Sequence, residues 1–217
     1  MCKPLHPVEE EKMMIRILLL IAFFGHVLCW YCDCLITYTP NGRFSAKQLN
    51  DNEKLSELLE GMPLKRPMCS IVLGILALIM SFCGFLALCE WMRQFSNVYA
   101  AIMIIGAVLF ITCVIPHHAI CGLVEWFYIR LGCTENARKI ILDFFKKTSA
   151  TMIVCYIGLL IFAVTFFIAV ITGTTSLPRW ACIFNTLPLF FIISLFRIAG
   201  GGNIANAVMF IALFIIT

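Results

Sequence analysis

Residues 15–38, IRILLLIAFFGHVLCWYCDCLITY, decide the fold, because the whole run carries two formal charges, Arg16 at its edge and Asp33 near its end. A helix needs about 20 apolar residues to cross the roughly 30 Å hydrocarbon layer, so this run reads as a transmembrane helix. Within it stand a histidine, His26, and a carboxylate, Asp33. A charged aspartate at that depth costs at least about 2.5–3.5 kcal/mol, which predicts that it faces other helices and has a partner there.

The rest of the chain has the same character. Apolar residues make up 62% of the 217 residues and charged residues 13%, against roughly 45–50% and about 25% in soluble domains. A net charge of +4 without a basic stripe and interleaved aromatics argues against a nucleic-acid partner. Most of the 12 cysteines lie in apolar runs and read as small packing residues. Cys29, Cys32 and Cys34 lack the exposed helix start that redox pairs use. No small-residue cleavage pattern follows the first run, so it reads as a retained helix rather than a signal peptide, and Met1-Cys2 does not follow the apolar region a lipobox needs.

Further apolar runs at about 68–91, 98–116, 149–172, 180–199 and 204–217 predict an all-α integral membrane bundle of about six helices in one domain spanning 1–217. The last is 14 residues, about 21 Å at 1.5 Å per residue, and short for a crossing. A polar loop at 39–67 carries turn chemistry at Pro40-Asn41-Gly42 and a short amphipathic helix near 46–60. The stretch 117–131 after Pro116 is either a continuation of the third helix or an interfacial helix, and reading it as a crossing would make seven. Pro188 is expected to kink the fifth helix. Gly74, Ala77, Ser81 and Gly84 form a stripe that lets another helix approach closely.

Alternate crossings place the loops 39–67 and 117–148 in one leaflet, side B. Ten lysines and arginines flank that side against five on the other, which orients side B to the cytoplasm of a plasma-membrane protein.

His26 and Asp33 are seven residues apart and share a helical stripe with Cys29 and Trp30. His118 and Glu125 repeat that spacing. Asp33, His117, His118, Glu125, Arg197 and Asn203 all fall towards side B, so His26, Asp33, His117, His118, Glu125 and Arg197 are the candidate ligand-binding residues. Arg197 is read as a residue that snorkels to the interface, as a partner of Asp33 or as an anion contact. Gly201, Gly202 and Asn203 are candidate anion contacts at a helix start. A metal held by His26, Asp33, His118 and Glu125 is the alternative, since histidine and carboxylate suit zinc; no cofactor is the first expectation.

The runs PHHAICGLVEWFYIRLGCTENA (116–137) and RIAGGGNIANA (197–207) resemble uncharacterised multi-pass membrane families of bacterial genomes, a resemblance that covers most of the chain and implies no known activity. The intramembrane zinc hydrolases of the ceramidase and adiponectin-receptor type need a late HxxxH. This chain has no histidine after His118, and that activity is not carried over.

These features predict a bilayer-embedded protein that binds or translocates a small molecule or lipid through a polar pocket. A metal-dependent hydrolase or transferase and a structural subunit are the alternatives; enzyme activity is not the first expectation.

Overall fold

The computed structural model describes residues 7–217; Cys2, and Lys3 among the flanking charges, lie outside the described residues. Helix α1 spans Pro7–Thr37. Glu9 and Glu10 occupy its first turn, where negative charge complements the helix dipole. A two-residue hairpin, β1 (Tyr38–Thr39) with β2 (Gly42–Arg43), closes on the Pro40-Asn41-Gly42 turn, and Gly42 takes a positive φ as the chain leaves it. The expected amphipathic helix divides into a 3-10 turn at Ala46–Asn50 and α2 at Asn52–Leu59, where the Asp51 side chain caps the start of α2.

The long helices follow as α3 (Lys65–Arg93) and α4 (Asn97–Arg130), then the amphipathic α5 (Glu135–Thr148) and the apolar α6 (Ala150–Ile171). Helix α4 continues through Pro116. Of the two readings of 117–131, continuation of the helix is the observed one. At 34 residues α4 is about 51 Å long, well beyond a hydrocarbon core of roughly 30 Å. Its far end packs with α2 and α5 in a satellite core around Leu55, Leu59, Val124, Tyr128 and Ile141. Arg138 of α5 reaches the Leu49 carbonyl at 2.9 Å.

The chain is all-α, and four segments are long and apolar enough to cross a membrane: Glu9–Thr37, Lys65–Arg93, Asn97–Arg130 and Glu135–Ile171. The run expected as one helix at 180–199 is not continuous. It forms a 3-10 turn at Arg179–Phe184 and α7 at Thr186–Ser194, then turns sharply before α8, Gly201–Ile216. Asn185 caps α7 by accepting from the Leu187 amide. Pro188 therefore falls in the first turn of a helix, where its missing N–H has no partner to lose, and begins α7 rather than kinking a longer one. Arg197 and Gly200 take positive φ in the turn.

Helix α1 packs against α3 and α8, α3 against α4, and α4 against α6, while α7 leans mainly on α8. The small-residue stripe on α3 does what its spacing predicts. A side chain at Gly84 would meet Ala22 and Phe210, and one at Gly74 would run into the imidazole of His118. Gly25 sits against the backbone of Ala77 and Ser81. The main core, around Leu19, Phe85, Met92, Phe162 and Phe210, fills the half of the bundle near the start of α1.

Candidate functional site

The other half of the bundle is polar. Asp33 leaves α1 with its side chain 22% exposed, and three elements converge on it. From α8, the Asn203 amide nitrogen donates to Asp33 Oδ2 at 2.8 Å. From α4, His118 Nδ1 stands 3.4 Å from Oδ1. The turn before α8 supplies Gly200, where any Cβ would lie 2.6 Å from Oδ2. The start of α8 therefore lies against the chain's own carboxylate, which it contacts through the Asn203 side chain. Of the expected anion contacts Gly201, Gly202 and Asn203, all three line the cavity described below, and Asn203 is the one bonded to Asp33.

Hydrogen-bond partners settle the orientation of the neighbouring rings. Asn203 gives its amide nitrogen to Asp33, so its oxygen faces His26 Nδ1 at 2.9 Å and accepts from it. His26 thus carries its proton on Nδ1. Its Nε2 is buried and has no partner among the described residues, while the ring stacks on Phe210 at 5.6 Å between centroids. His118 Nε2 lies 3.0 Å from the Ser70 carbonyl. A carbonyl only accepts, so Nε2 carries a hydrogen, and Nδ1 is the ring atom that faces Asp33.

Several candidates do not join this group as expected. Arg197 is exposed, and among the described residues the basic side chain beside Asp33 is His118. The left-handed turn carries the Arg197 side chain away and leaves its carbonyl to accept from Arg43. Glu125 is buried on α4 with its Oε2 unpartnered among the described residues. It lies about two turns beyond His118, outside the cavity that His117 and His118 line. His26 reaches Asp33 only through Asn203. The four-residue metal set His26, Asp33, His118 and Glu125 is therefore not assembled. The ligand-type atoms that do come together belong to Cys29, Asp33 and His118, all within 4.8 Å of one another.

Sequence reasoning set Cys29 aside with the other cysteines, although it sits one turn from Asp33 on the same stripe. Ser70, which orients His118 and donates to the Cys32 carbonyl at 2.9 Å, had no local signal.

Around this cluster lies a cavity of about 320 Å³, lined by Asp33, His117, His118, Gly202 and Asn203 on its polar side and by Leu159 and Phe190 on its apolar side. His117 also meets Thr151 Oγ1 at 3.2 Å. Tyr156 lines the same cavity while standing 58% exposed, and Phe190 is likewise exposed. The opening therefore lies beside α6 and α7, on the outer wall of the bundle. A shallower depression of about 820 Å³ between α2 and the 132–133 turn contains none of the candidate residues.

Fold and site together define a class: an all-α bundle with membrane-length helices whose interior is dry at one end and holds a polar pocket at the other. The chain belongs to DUF6796, a family of unknown function whose model matches residues 9–217. No curated protein and no solved structure matches it.

Proposed function

We propose that this is an integral membrane protein whose bundle binds a small or amphiphilic ligand in the pocket at Asp33, admitting it sideways from the lipid between α6 and α7. The observation that carries this reading is the cavity itself, with a charged and hydrogen-bonded floor, apolar walls, and rim residues Tyr156 and Phe190 on the outer surface. A ligand with a polar head and an apolar tail matches that gradient, because pockets gain affinity from apolar walls and orientation from a few placed polar groups.

In this reading the four long helices cross the bilayer. Helices α7 and α8 complete it as a hairpin whose tip, at residues 195–200, rests beside the end of α1. The loops 39–67 and 117–148 face the cytoplasm of a plasma membrane, as the excess of lysine and arginine favours. The Arg43 contact to the Arg197 carbonyl and the approach of the Ala199 amide to the Tyr38 hydroxyl support that placement of the tip.

Binding of two fluorescent single-chain amphiphiles, one carboxylate-headed and one amine-headed, to the purified chain in lipid nanodiscs tests the pocket. At least one should bind saturably. Leu159→Trp, which fills the apolar wall, should weaken that binding tenfold or more. Failure of both probes to bind, or binding indifferent to Leu159→Trp, overturns the reading.

A further inference from the structure

The geometry points to a zinc-type divalent metal site built from Cys29 Sγ, the Asp33 carboxylate and His118 Nδ1, with its fourth position open to the cavity. It goes beyond the ligand-pocket reading and does not rest on it.

The spacing of the donor atoms fits a shared ion. His118 Nδ1 and Asp33 Oδ1 are 3.4 Å apart. Bonds of about 2.0–2.1 Å to nitrogen and oxygen at tetrahedral angles set the two donor atoms about 3.4 Å from each other. A Zn–S bond of about 2.3 Å sets the sulfur edges near 3.6 Å. All three atoms lie within 4.8 Å of one another, so the cysteine side has at most about 1 Å to close.

The surroundings orient each donor as metal sites require. A ligating histidine usually gives its second ring N–H to a carbonyl or carboxylate, which fixes the tautomer and aims the other lone pair. His118 does so through Nε2 to the Ser70 carbonyl at 3.0 Å. The Asn203 amide nitrogen reaches Asp33 Oδ2 at 2.8 Å and Cys29 Sγ at 3.3 Å, so one NH2 group steadies both anionic donors. Gly74 leaves the space in which the His118 ring sits.

Charge favours the same conclusion. A thiolate and a carboxylate neutralise a divalent ion, and a neutral complex is the form a low-dielectric interior tolerates. The donor mix of one sulfur, one nitrogen and one oxygen suits zinc, while magnesium and calcium prefer all-oxygen shells. Three protein ligands with an open fourth position form the arrangement of reactive rather than purely structural zinc sites. All three ligating residues line the cavity, so water or the head of a bound molecule can take the fourth place.

The test uses the metal alone. The full chain, purified in detergent and stripped with a chelator, is titrated with Zn2+ and with Co2+ and assayed for bound metal after desalting. One equivalent should bind, and the cobalt form should show the sulfur-to-cobalt charge-transfer band of a thiolate ligand. Cys29→Ser should abolish that band, and Asp33→Asn should weaken metal binding at least tenfold. His118→Gln tests the third ligand, with helicity and melting measured in parallel. Should that variant not fold, the band and its loss in Cys29→Ser still decide. Absence of stoichiometric metal, or a band that survives Cys29→Ser, overturns the site. Metal uptake without amphiphile binding would leave the site standing and remove the pocket reading; amphiphile binding without metal would do the reverse.

Discussion

Along α1, residues 15–24 and residues 26–36 face two unlike interiors. The first stretch presents Leu19 and Ala22 to a dry core in which Phe85 packs against Phe110, Phe162 and Phe210 at centroid distances of 5.3, 4.8 and 5.2 Å. The second presents Cys29 and Asp33 to a cavity of about 320 Å³. His26 stands at the border, its ring on Phe210 and its Nδ1 on Asn203. Helices α3, α4 and α8 make the same change along their lengths, which shows that a bundle can close one end by packing and hold the other partly open with polar pairs. In lipid, helices gain little from burying apolar surface against each other, so packing and hydrogen bonds decide where they meet.

Truncation in the dry half should have the largest effect. Phe85→Ala removes the ring that three others share and should cost about 3 kcal/mol or more, read as a lower melting temperature in detergent. Gly158→Ala comes next. Its Cβ would press on the Phe110 amide and lie 2.7 Å from the Gly106 carbonyl, so α4 and α6 must separate, at about 1–3 kcal/mol. If neither change lowers the melting temperature more than substitutions around the pocket do, the contrast between the two halves is lost.

Around the pocket the effects should fall on binding first. Asp33→Asn should weaken binding of the amine-headed amphiphile about tenfold, or about 1.4 kcal/mol. Ser70→Ala removes one hydrogen bond to the α1 backbone and should cost about 0.6–1 kcal/mol of stability. Gly202→Ala should do least. Its Cβ would approach nothing closer than Phe190 at 3.9 Å, and alanine favours the helix by up to about 1 kcal/mol. A glycine-to-alanine change that harms at 158 and is neutral or stabilising at 202 would sharpen the comparison; equal losses at both positions would break it.

The long helices were legible because each is a local property of its run. Helix α3 and most of α1, α4 and α6 follow from composition and length. The small-residue stripe from Gly74 to Gly84 predicted close approach correctly, since the volume a glycine leaves free does not depend on its partner. The segment 180–199 was misread because its composition is that of one long helix. Its break depends on Asn185 capping a new start and on Arg197 and Gly200 turning the chain. For Arg197 a shared leaflet leaves open snorkelling, a pair with Asp33 or an anion contact. Depth alone does not say which way a side chain points, and the left-handed turn sends that one outward.

By itself the sequence determined that the protein is a bundle of apolar helices and that His26, Cys29 and Asp33 share a stripe, because a helical period of 3.6 residues fixes direction within one helix. Only the tertiary structure decided that Asp33 meets His118, Asn203 and the start of α8. Those partners lie 85 and 170 residues further along the chain, and their meeting depends on how far each helix is rotated and shifted against its neighbours, which glycine contacts such as Gly74 against His118 set.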